Sequence, residues 1–89
     1  MLKVSRRDQP GEPAVLRIEG TLGGAWVREV RAECDALLAE QGRAVLDLAG
    51  VVFVDRAGAD LLATLQNDSR ISIERASAFV TEMLKGGAA

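Results

Sequence analysis

The chain has no histidine and no tyrosine, a single cysteine, two prolines, and only one Trp and two Phe to supply aromatic bulk. Each shortage removes a class of function. Without histidine the commonest general base and metal ligand is missing. One cysteine cannot close an internal disulfide, and Cys34 falls on the apolar stripe of a helical segment, where it packs as a small hydrophobe rather than acting as a nucleophile. No catalytic residue is assigned. The carboxylates are scattered without a spacing that brings three ligands to a point, so neither a metal nor a cofactor is expected. "GTLGG", Gly20 to Gly24, lacks the Lys and Ser or Thr that a phosphate loop requires, and Gly20, Gly23 and Gly24 read as turn glycines. A net charge of −2 with both signs interspersed offers no basic face for nucleic acid. No apolar run approaches the ~20 residues of a membrane span. The amino end, "MLKVSRRDQP", lacks the sustained apolar stretch of a signal peptide. The expectation is a cytoplasmic protein without direct membrane insertion.

What is present is an aliphatic interior. Of the 89 residues 48% are apolar, and a chain this short buries only roughly 60–65% of its unfolded surface. Val, Leu, Ile and Ala must therefore fill a thin α/β core, with Trp26, Phe53 and Phe79 as its bulky members. Trp26 and Phe79, on apolar helix faces, read as core anchors.

The periodicities set an element order. Leu2 and Val4 alternate with Lys3 and Ser5, "DQPGEP" interrupts, and "AVLRIEG" alternates again, with Leu16 and Ile18 inward and Arg17 and Glu19 toward water. That is a β-hairpin. Arg6 and Arg7 read as a solvated strand edge. Between Ala25 and Gln41 the residues Trp26, Val30, Cys34 and Leu37 recur at helical spacing, and Gly42 sits where a left-handed C-terminal residue is wanted. "AVLDLAG" is nearly continuous in apolar residues, the signature of a central parallel strand covered on both faces. Asp47 interrupts it and needs a hydrogen-bond partner or an exposed strand end. A helix from Ala57 to about Gln66 follows, then the turn "NDSR", a short strand with Ile71 and Ile73, and a last helix starting near a Ser77 cap and stopping at Gly86 and Gly87. The order ββαβαβα predicts a single-domain α/β fold over 1–86, a mixed sheet of about four strands packed against helices, with 87–89 a frayed tail.

The segment "VLDLAGVVFVDRAG", Val45 to Gly58, carries the functional signal. Asp55 is placed as the N-cap of the second helix, accepting from the N–H of Ala57 or Gly58, with a cost of ~1 kcal/mol if replaced by Ala. Arg56 and Asp60 sit on its first turns as solvated residues.

Here the chain resembles a STAS domain, the family of bacterial anti-sigma factor antagonists and of regulatory modules attached to anion transporters. "VLDLAGVVFVD", then Gly58, Leu61 and Leu62, carry the match. Gly20 with Leu22, the closing "SAFVTEMLKG" and the element order extend it over most of the chain. The resemblance implies a phosphoacceptor serine at the position of Ala57, or in transporter-associated members a threonine at that of Arg56. This chain reads "DRAG", so the usual site cannot be phosphorylated.

The resemblance further implies a non-enzymatic regulatory module that docks a protein through Asp55, Arg56, Ala57, Gly58 and Asp60, in signal transduction and transcription regulation. The partner would be an anti-sigma factor or kinase. An alternative within the family is the small cytoplasmic STAS subunit of a lipid-transport ABC complex, docking a transporter ATPase. An alternative of another class is a small-molecule or nucleotide-binding sensor using the crevice at the carboxyl ends of the parallel strands. Micromolar heats with nucleotides, and no specific protein from a lysate, would favour it. Monomer and homodimer both remain open at this level.

Overall fold

The computed structural model describes residues 2–87 and forms two layers. Strands β1 (Leu2–Gln9) and β2 (Glu12–Leu22) pair antiparallel around Pro10 and Gly11, the latter at a φ of 77° that glycine takes without a Cβ clash. The chain continues through α1 (Trp26–Gln41), β3 (Ala44–Val54), α2 (Arg56–Gln66), β4 (Ile71–Ala76) and α3 (Ala78–Gly87), the order read from the sequence. The sheet order is β1-β2-β3-β4, with β2, β3 and β4 parallel. Of the expected frayed tail 87–89, Gly87 closes α3 and positions 88 and 89 lie outside the described residues.

A sheet that steps β2, β3, β4 in one direction through right-handed crossovers must place both crossover helices on the same face. The core shows this. Leu16, Ile18, Leu46, Leu48 and Ile71 of the sheet cluster with Val30, Leu37, Leu62, Leu65 and Val80 of the three helices. β3 is therefore central and parallel, but the expectation that both its faces are covered is wrong. Asp47 and Val45 point to the face without helices, and Val15, although buried, stands outside the helix-side core. The apolar density of "AVLDLAG" reflects residues near the sheet centre, not a second helix layer.

β3 is also irregular. Against β2 it gains one residue between Asp47 and Gly50 and a second between Val51 and Phe53, so its inward positions run Ala44, Leu46, Leu48, Val51 and Val54. The first bulge frees the Ala49 N–H, which donates to Asp47 Oδ1 at 3.1 Å. This is the partner that Asp47 requires. A bulge near Pro13 similarly leaves the Ala14 N–H to donate to Gln41 Oε1 at 2.9 Å, tying the end of α1 to the sheet.

The aromatic residues do not fill the core. Trp26, Phe53 and Phe79 are 43%, 50% and 41% exposed, and every fully buried large side chain is aliphatic or Cys34. Trp26 opens α1 one turn before the inward stripe begins at Val30, and in α3 Val80 takes the inward position beside Phe79. Ends of helices thus override the apolar-face reading.

Candidate functional site

The end of β3 and the start of α2 meet the loop between β2 and α1 at one corner, and Asp55 joins them. It leaves β3 in extended conformation, φ −83° and ψ −177°, which aims its carboxylate back at the helix it caps. Oδ1 accepts from the Gly58 N–H at 2.8 Å and Oδ2 from the Gly24 N–H at 3.0 Å, while the Asp55 N–H donates to the Leu22 carbonyl at 3.1 Å. One side chain thereby satisfies an orphan donor of α2 and a donor of the neighbouring loop.

Two glycines make this approach possible. A Cβ at Gly23 would sit 2.4 Å from the Asp55 carboxylate, and one at Gly58 would sit 2.4 Å from the Leu22 carbonyl oxygen. Gly23 is therefore a close-approach glycine, whereas Gly24 takes the positive φ of a turn. Gly20 lies within β2 rather than in a turn, at a φ of 104°.

The sequence-derived docking residues separate by depth. Arg56, Ala57 and Asp60 are exposed, Asp55 is half-buried with its carboxylate engaged, and Gly58 lies beneath the surface against Leu22 and Val54. Arg56 makes no ion pair among the described residues, so its guanidinium is free to meet a carboxylate. Ala57 and Asp60 form one wall of an open groove of about 840 Å³ between α1 and α2, whose opposite wall includes Val27, Arg28 and Arg31.

Apolar surface adjoins the corner where the sequence reading placed none. Val52 is 68% exposed at the second β3 bulge, and the rings of Phe53 and Phe79 meet at a centroid distance of 5.7 Å, tilted by 40°. β4 pairs with β3 only as far as Leu48, after which Ser77 donates to the Leu48 carbonyl and α3 begins. The last six residues of β3 therefore extend past β4. The 11-residue length of β3 against six for β4 is the signal that would have found this patch.

Nucleophilic or metal chemistry gains no support here. Burial pushes the Cys34 thiol up to about 11, keeping it protonated at neutral pH. Among the described residues no three His, Cys, Asp or Glu side chains converge on a point. No helix among them is long and apolar enough to cross a membrane.

A protein-family model described as "Mlab, STAS domain" matches residues 5–86, which include every residue of the corner. No curated protein matches the chain.

Proposed function

The chain belongs to the STAS domain family, and from that premise we propose that it is a non-enzymatic regulatory module that docks another protein through the start of α2. The observation that carries this reading is the exposed Ala57 at the second position of α2, where the family resemblance places a phosphoacceptor. A methyl group cannot accept a phosphoryl group. The docking surface therefore keeps one charge state, with Arg56 as a planar donor for a partner carboxylate and the Val52, Phe53 and Phe79 side chains as apolar neighbours. In an anti-sigma antagonist this is equivalent to permanent dephosphorylation.

A second reading has one finding in its favour. The matched family model carries the name Mlab, which favours the small cytoplasmic STAS subunit of a lipid-transport ABC complex, with an ATPase as partner. The same corner serves either role. A tagged bait in native lysate separates them: an anti-sigma kinase among the captured proteins supports the first, an ATPase–permease complex the second.

The docking assignment itself is tested by Arg56→Glu and Ala57→Glu. Both side chains point outward, so each variant is expected to keep the wild-type melting temperature and lose partner capture. Full capture by both would remove the corner from the interface. Incubation with the cognate kinase and ATP is expected to leave residues 55–60 unlabelled by mass spectrometry.

A further inference from the structure

The sheet face opposite the helices holds a second cavity, of about 310 Å³, remote in character from the docking corner. Its size is at the lower end of small-ligand pockets, ~300–1,000 Å³. One row of residues crosses all four strands in register: Ser5 lies opposite Arg17, Arg17 opposite Asp47, and Asp47 opposite Arg75. All four line the cavity, together with the cations Lys3, Arg6 and Arg7 and the carboxylates Glu19 and Glu74.

Few of the charges in this cavity are spent on one another, although Arg6 is held by Glu40 and Asp8. Among the described residues Lys3, Arg7 and Arg75 make no ion pair, and Arg17 meets only Glu19, at 3.6 Å. Asp47 retains 9% exposure, yet neither flanking arginine closes on it, and its one hydrogen bond comes from the Ala49 N–H to Oδ1. A carboxylate accepts several hydrogen bonds, so Oδ2 remains available to a donor entering from the face.

We propose that this cavity binds a small phosphate monoester with a hydrogen-bond donor at its other end, Arg17 and Arg75 holding the phosphate and Asp47 accepting from the donor. Strand spacing of about 4.8 Å puts the Cα atoms of Arg17 and Arg75 about 10 Å apart, a gap that two arginine side chains close over one phosphate. A single carboxylate is satisfied by one guanidinium fork, whereas three phosphate oxygens and two charges use more than one. Lys3 and Arg7 add positive potential at the β1 side. Glu19, Glu74 and the Asp47 beneath the site disfavour a bare anion, and Asp47 rewards a ligand that places a donor, best an ammonium, over it.

Phosphoethanolamine meets this description, and ethyl phosphate is its analogue without the donor. Titration of each into the full chain is followed by backbone amide NMR, with melting temperatures recorded for every variant. The expected result is saturable shifts at Arg17, Ala49 and Arg75, with phosphoethanolamine binding about tenfold more tightly than ethyl phosphate. Asp47→Asn keeps an oxygen for the Ala49 N–H but loses the charge, and is expected to erase that preference. Arg17→Ala weakens both ligands, as does Arg75→Gln, which lies at an exposed position of the edge strand β4 and keeps the fold testable. Absence of saturable shifts on this face, or a preference that survives Asp47→Asn in a folded variant, would overturn the proposal.

Discussion

At the scale of single residues, Asp55 and Gly23 act as a pair. Replacing Asp55 by Ala removes the cap of α2 and the acceptor for the Gly24 N–H together, with an expected loss of about 1–2 kcal/mol. Gly23→Ala forces the Asp55 carboxylate aside and is expected to cost about 1–3 kcal/mol as overpacking. In the double variant the collision has no target, so the two losses should not add. A thermodynamic cycle from urea unfolding measures the coupling, and strict additivity would show that the contact carries no weight. Asp55 as a cap is legible from sequence, because capping is local. That Gly23 must be glycine is not legible, since the atom it avoids lies 32 positions away.

Among the elements, the turn between α2 and β4 provides the clearest titration. Asp68 accepts from the Arg70 backbone N–H at 2.9 Å and from its guanidinium at 3.0 and 2.8 Å. The Arg70 side chain, followed by its backbone N–H, brings the Asp68 carboxyl down from the ordinary 3.8 to about 2. A depressed carboxyl value stabilises the folded state above the unfolded value, and the contribution is lost as pH falls from about 4 toward 2. Side-chain carboxyl NMR should place the Asp68 midpoint near 2, and Arg70→Ala should raise it toward the ordinary range, the retained backbone N–H still holding it below. Arg70 is exposed and Asp68 only half-buried, so the effect on unfolding is small. Glu40 follows the same sign: the Arg6 fork, with bonds of 3.0 and 2.7 Å, holds its carboxyl below the usual range and fastens the last turns of α1 to β1. From its sequence neighbours alone Arg6 reads as a solvated edge residue. Its partner lies 34 positions away, on an element whose placement depends on the fold.

The whole molecule rests on a single helix-to-sheet interface with an aliphatic interior. Leu46 is fully buried at the centre of β3, and Leu46→Ala is expected to cost about 2–5 kcal/mol. Against a total of about 5–15 kcal/mol for a domain of this kind, that is a large share, and Tm should fall by on the order of 10 °C or more. A fall of only a degree or two would mean that the interface repacks. The two-layer design also separates the two proposed binding surfaces. The capped end of α2 lies at the carboxyl ends of the parallel strands, while the charged cavity occupies the face that no helix covers. Arg56→Glu and Asp47→Asn should therefore act independently, each changing one kind of binding.

The sequence alone determined the element order, the caps at Asp55, Gly42 and Ser77, the parallel central strand and the lack of any hydroxyl from Asp55 to Gly58. These follow from period, from local hydrogen bonding and from residue identity, all of which are written within a few positions of one another. Only the tertiary structure decided that the helices share one face, that the aromatics lie outside, that Asp47 opens into a cavity between two arginines, and that Gly23 and Gly58 admit close contacts. Those outcomes depend on the direction in which successive crossovers step and on bulges that shift strand register, and both are set by contacts between segments far apart along the chain.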